Sequence, residues 1–152
     1  MSDNFDLRRQ PTVNVLSVSG SEEDLRALRG IFASSSWNLC PGFRWTLNHC
    51  DDGKAPASLL GEGEVPILLC DRDTHPELWR QLLAQCEDLA HPPCLIVTSR
   101  LADDRLWAEA LNLGAYNVLA KPFDATEVTC ILGQAYLHWR HRAASACAAA
   151  CS

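Results

Sequence analysis

At 152 residues the chain has the length of one ordinary domain, and its 47% hydrophobic content can fill one sizeable core, which argues against global disorder. A formal net charge of −6, with basic residues scattered rather than striped among aromatics, argues against nucleic acid and anionic membranes as partners. No apolar run approaches a membrane span, and the polar start "MSDNFDLRRQ" lacks the apolar stretch of a signal peptide, so the cytoplasm is the expected compartment.

Residues 1–11 read as an N-terminal tail, and "VNVLSV" (13–18) as a short buried strand. Ser21, with Asp24 three residues later, forms a capping-box signature. The helix it opens runs over about 22–33, with Leu25, Leu28, Ile31 and Phe32 at helical spacing. "SSSWNLCPGF" is a loop punctuated by Ser and Pro-Gly. "RWTLNHC" (44–50) alternates as a second strand, and "DDGKAPASLLGEGE" reads as a turn and a short, weak helix.

"VPILLC" (65–70) is a third strand, apolar on both faces, as a parallel strand covered on two sides should be. "THPE" (74–77) repeats the capping-box pattern ahead of a helix bearing Leu78, Leu82, Leu83 and Cys86. "CLIVTS" (94–99) is a fourth two-sided strand. "LADDRLWAEALNLGA" is a helix that ends at Gly114, and "YNVLA" a fifth strand followed by "KPF". "DATE" (124–127) caps a last helix with Val128, Ile131, Leu132, Ala135 and Trp139 on one face. Residues 143–152 form an Ala-rich tail that extends this helix or frays from it.

Strand and helix thus alternate five times, which predicts one α/β domain over residues 12–142 with a parallel sheet and helices on both faces. Eight cysteines occur with no C-x-x-C pair, and Cys70 and Cys94 fall in buried strands, where Cys packs as a small hydrophobe. His49 and Cys50 have no second ligand pair at zinc spacing.

In parallel sheets chemistry collects at the carboxyl ends of the strands. There the chain places Ser19, Gly20 and Ser21 after strand 1, Asp71 and Asp73 after strand 3, Thr98 and Ser99 at the end of strand 4, and Lys121-Pro122 after strand 5. An acid, a hydroxyl and a lysine on one rim suit a phosphoryl group: the carboxylate as acceptor, the other two as partners for its oxygens.

With "ILLCD" ending in Asp71, "LIVTS" containing Thr98, and "LGAYNVLAKPFDATEV" containing Lys121-Pro122-Phe123, the chain resembles the receiver domains of bacterial two-component response regulators over roughly residues 12–140. The resemblance implies a flavodoxin-like fold, a (βα)5 three-layer sandwich with strand order 2-1-3-4-5. It implies that Asp71 accepts phosphate from a histidine kinase, that Thr98 and Lys121 contact the phosphoryl group, and that the Lys121–Pro122 bond is cis. It also implies no enzyme beyond self-catalysed phosphoryl transfer from a phosphodonor.

Two departures stand against that pattern. The acidic pair that holds Mg²⁺ in receivers is replaced by Ser19 and Gly20, or by Gly20 and Ser21 in a register slipped by one. Only Asp71 and Asp73 remain to hold Mg²⁺ weakly or not at all, with Glu22 or Glu23 as acids that could reach across from the helix start. The aromatic expected three residues before the lysine is Val118, with Tyr116 two residues earlier on the same face by strand alternation.

On the last helix, Cys130, Gly133 and Leu137 form a second stripe, joined by Trp107 on the helix before. The resemblance makes the face of helix 4, strand 5 and helix 5 a homodimer or output surface; burial by the C-terminal tail is the alternative. Three functions follow: a phosphorelay receiver using Asp71, a phosphorylation-independent pseudo-receiver acting as an interaction module, and a small-ligand binder or enzyme on the same fold. For the last, no Gly-rich phosphate loop or catalytic dyad appears.

Overall fold

The computed structural model describes residues 12–34, 43–51 and 65–151. The predicted alternation takes shape as β1 (Thr12–Val18), α1 (Glu22–Phe32), β2 (Arg44–Cys50), β3 (Ile67–Asp71), α2 (Leu78–Cys86), β4 (Cys94–Ser99), α3 (Asp104–Leu113), β5 (Asn117–Ala120) and α4 (Ala125–Cys151). The strands form one parallel sheet in the order β2-β1-β3-β4-β5. Of the expected loop over 34–43 and the expected turn and short helix over 51–64, residues 35–42 and 52–64 lie outside the described residues. In this numbering α3 is the fourth helix of the sequence pattern and α4 the fifth.

Alternation along the strands divides the core in two. Leu16, Val18, Leu68, Cys70, Leu95, Val97 and Val118 pack on one face against Trp79, Leu82 and Cys86 of α2 and Leu106 and Ala110 of α3. Val13, Val15, Ile67, Leu69, Ile96 and Leu119 pack on the other against Leu28 of α1 and Val128, Leu132 and Ala135 of α4. Every residue of β3 is buried, as a central strand covered on both sides must be.

The helix ends follow local chemistry. Ser21 caps α1, its hydroxyl accepting the N–H of Asp24 at 3.2 Å. Asp103 caps α3 through the N–H of Leu106, and Gly114 closes that helix in the left-handed region with φ 107°, where a side chain would be strained. Asp124 opens α4 by accepting the N–H of Glu127 at 2.9 Å.

Several expectations need correction. The "THPE" box does not cap a helix: α2 begins at Leu78 with no side-chain cap, because the Thr74 hydroxyl is engaged elsewhere. β3 starts at Ile67 and includes Asp71 rather than ending before it. Tyr116 precedes β5 and packs on the α1–α4 face beside the His138 ring at 5.2 Å, whereas Val118 is wholly buried on the opposite face, so the two do not share a side. Of the two alternatives for the Ala-rich tail, extension of the last helix is the one observed, with α4 running to Cys151. Among the described residues no helix is long and apolar enough to cross a membrane.

Candidate functional site

The rim is built from strand parity. Ser19, Asp71, Thr98 and Lys121 continue the alternation of the residues facing α1 and α4, so strands β1, β3, β4 and β5 deliver them to one side of the sheet end. Backbone bonds hold the turns in place: Ser19 N–H donates to Cys50 O at 3.0 Å, Arg72 N–H to Thr98 O at 2.9 Å and Lys121 N–H to Ser99 O at 3.0 Å. The Lys121–Pro122 peptide is cis.

Asp71 is 1% exposed and its carboxylate is fully engaged. Oδ1 accepts from Lys121 Nζ at 2.6 Å and from the Asp73 N–H at 2.9 Å. Oδ2 accepts from the Ser19 hydroxyl at 2.9 Å and the Thr74 hydroxyl at 2.7 Å. These four donors match the roughly four lone-pair sites of a carboxylate. Ser19 Oγ in turn accepts the Ser21 N–H at 3.0 Å, and Thr74 Oγ1 accepts the Gly20 N–H at 3.1 Å, so the β1 turn and the β3 turn are stitched together through Asp71.

Lys121 has its side chain 5% exposed and meets two further carboxylates besides Asp71: Asp24 from the first turn of α1 and Asp73 Oδ2 at 3.2 Å. Asp73 is itself fixed by the Ser99 hydroxyl at 2.8 Å and the Arg100 N–H at 2.9 Å. A cleft of about 230 Å³ opens over this set, lined by Ser21, Asp71, Asp73, Thr74, Arg100 and Lys121. A larger cleft of about 300 Å³, between Ala90–Pro92 and α4 around Trp139 and Arg142, lies away from the strand ends.

Burial by itself would raise the Asp71 carboxyl, but the hydrogen bonds from Lys121, Thr74 and the Asp73 N–H outweigh it and hold the group below the usual carboxylate range. Asp73 is likewise lowered: burial opposes its charge, while Arg100 N–H, Ser99 and Lys121 favour it. Lys121 is raised, because Asp24 and Asp71 favour its charge more than burial disfavours it. The rim is therefore ionised at neutral pH. The neighbouring Cys70 thiol, pushed up to about 12 by burial and by Asp71, is inert there.

The candidate residues from the sequence are thus partly brought together. Asp71, Asp73, Lys121 and Ser19 converge, while Gly20 contributes its backbone N–H. Thr98 is buried as the register partner of Asp71, but the strand-end hydroxyl that bonds a rim carboxylate is that of Ser99. Sequence reasoning missed Asp24 and Thr74 as rim residues, and it gave the role of the strand-end hydroxyl to Thr98 rather than to its neighbour Ser99. Asp24 had been assigned to its helix cap, and neither Glu22 nor Glu23 reaches Lys121; Glu23 instead faces Arg100 at the surface at 3.7 Å. The run of three acids after β1 was the available signal.

The Mg²⁺ implied by the resemblance does not fit this donor set. Mg²⁺ needs near-octahedral oxygens, normally including one or two free carboxylates. Here the β1 positions offer a hydroxyl donor and a glycine, the carboxylates present converge on an ammonium, and among the described residues no three His, Cys, Asp or Glu are arranged to hold a metal ion.

The proposed surface on α3 and α4 is also less continuous than its sequence stripe. Gly133 is buried and Trp107 packs half-buried against the core, leaving Cys130 and Leu137 exposed.

No protein-family model matches the chain, and no curated protein matches it. Solved structures do. A signal receiver domain of an HD domain-containing protein from Pseudomonas fluorescens is 25% identical with a TM-score of 0.64, the match covering 86% of this chain and 98% of that one. A Francisella response-regulator receiver domain is 22% identical with a TM-score of 0.61, covering 83% and 98%. A response regulator from Thermotoga maritima is 16% identical with a TM-score of 0.66, covering 82% and 98%. With its parallel sheet in 2-1-3-4-5 order and helices on both faces, the protein is a flavodoxin-like α/β sandwich. More narrowly, its fold is that of a response-regulator receiver domain.

Proposed function

We propose that this protein is a pseudo-receiver: a signalling module on the receiver fold that acts by contact with another signalling protein and does not depend on phosphate. The four-fold hydrogen bonding of Asp71 carries this reading. To attack a phosphodonor, a carboxylate oxygen must present a free lone pair to phosphorus, with a cation ready to neutralise the transferring group. Either oxygen of Asp71 must first lose a partner, and its lysine is shared with two other acids. The same bonds make Asp71 a structural joint between the β1 and β3 turns.

Incubation with a small phosphodonor and Mg²⁺, followed by intact-mass analysis, tests the reading. The expected result is unmodified protein, and no change in tryptophan fluorescence with beryllofluoride. A single phosphate on the wild type, absent from Asp71→Asn, overturns it.

That outcome would favour the second reading, a phosphorelay receiver in which a histidine kinase phosphorylates Asp71. The observation in its favour is the placement of Asp71 beside its register partner Thr98 and within 2.6 Å of Lys121 Nζ. Under it, Thr98 and Lys121 would take the phosphoryl oxygens.

A further inference from the structure

Resting on the reading of this rim as a receiver pocket, we propose that the Lys121 ammonium is its resident cation, standing in for the divalent ion, so that the pocket assembles and holds its shape without metal.

The geometry sets one cation among three acids. An ammonium has three N–H groups and no acceptor. Around Lys121 Nζ lie three carboxylates, one from each of three segments: Asp24 on α1, Asp71 at the end of β3, and Asp73 in the turn after it. Asp71 Oδ1 accepts an N–H, and Asp24 Oδ2 and Asp73 Oδ2 meet the ammonium as ion-pair partners. With its side chain 5% exposed, the ammonium lies inside the cluster rather than at its edge.

The substitutions in β1 fit the same arrangement. A pair of carboxylates after β1 would raise the acid count around one univalent charge from three to five, and only a second cation could balance it. Ser19 instead supplies a neutral donor to Asp71 Oδ2. The excess charge on Asp73 is met by the Ser99 hydroxyl and the Arg100 N–H. Asp24 is the acid that α1 contributes, but it reaches lysine, tying α1 to β3 and β5 through one ammonium. Because burial is outweighed by the carboxylates, that ammonium keeps its charge at neutral pH.

Thermal unfolding of the full chain, followed by tryptophan fluorescence with chelator and with increasing Mg²⁺, reads this directly. The wild-type Tm should stay within about 1 °C from no metal to about 10 mM Mg²⁺, where a site with a Kd of about 0.1 mM would raise it by roughly 5–10 °C. In Lys121→Met the freed carboxylates should make Tm lower in chelator and rising with Mg²⁺. If that variant does not fold, Asp24→Asn serves: its Tm should fall by the same amount with and without Mg²⁺. A saturable rise of the wild-type Tm with Mg²⁺ that disappears in Asp24→Asn would overturn the proposal, since Asp24 would then be holding metal. The phosphodonor assay repeated in chelator separates this from the function reading. Labelling of Asp71 that persists without metal would refute the pseudo-receiver and leave the lysine cation standing.

Discussion

Two segments with the same sequence pattern end up doing different things. Ser21-Glu22-Glu23-Asp24 and Thr74-His75-Pro76-Glu77 both offer a hydroxyl residue followed three positions later by an acid. The first caps α1 through the Ser21 hydroxyl, while its acid, Asp24, leaves the cap and pairs with Lys121. The second caps nothing: Thr74 donates to Asp71, Glu77 pairs with Arg80, and α2 starts three residues late. A cap is worth about 1 kcal/mol, whereas a hydrogen bond to a charged group is worth about 1.5–3 kcal/mol. Where a buried carboxylate lies within reach, the hydroxyl goes to it and the helix end gives way.

Removing the cation that holds both Asp24 and Asp71, the carboxylate to which Thr74 donates, should have the largest effect. Lys121→Met leaves Asp71 and Asp24 buried without their cation, and urea unfolding should show a loss of about 3–5 kcal/mol. Thr74→Val should follow. It deletes one donor to Asp71 and the acceptor of the Gly20 N–H, a loss of about 1–3 kcal/mol, with far-UV circular dichroism unchanged because no helix cap is lost. Ser21→Ala should cost less, about 1 kcal/mol, and should fray the start of α1 in hydrogen exchange. If Ser21→Ala proved the more damaging, the two segments would both be working as caps and the contrast between them would fail.

The pH profile sharpens the same contrast with the smallest effect near neutrality. Asp71 and Asp73 have folded-state values lowered below the unfolded value of about 3.9, so their stabilisation is present above it and is lost as pH falls through the folded values. Lys121 is raised above about 10.4, so its contribution is full below that value and is lost as pH rises through the folded one. Stability from the rim should therefore be flat between about pH 5 and pH 9. Asp71→Asn should weaken the acid limb of the wild-type curve, as chemical denaturation at a series of pH values would show.

Much of the fold was legible because it depends on local periodicity. The two-sided apolar strands "VPILLC" and "CLIVTS", the helical spacing of Leu25 to Phe32, and the Gly114 stop each carry their own signal over a few residues, and each element formed, with β3 displaced to Ile67–Asp71. The positions of Asp71, Thr98, Ser19 and Lys121 at one rim followed from the same regularity. Tyr116 was misjudged because alternation holds only inside a strand, and β5 begins one residue after it. Gly133 was misjudged because its helix is covered over more than one stripe.

The amino-acid sequence by itself determined which elements form, which faces they bury, and that an acid, a hydroxyl and a lysine stand at the carboxyl end of a parallel sheet. Only the tertiary structure decided whom each polar group would meet: Ser19 with Asp71 across 52 residues, Lys121 with Asp71 across 50, Thr74 with Asp71 rather than with its own helix, and Asp24 with Lys121. The physical reason is that apolar periodicity acts between neighbours along the chain. A hydroxyl, carboxylate or ammonium instead settles on the strongest partner within about 3 Å, and which partners lie that close is set only once the strands are side by side.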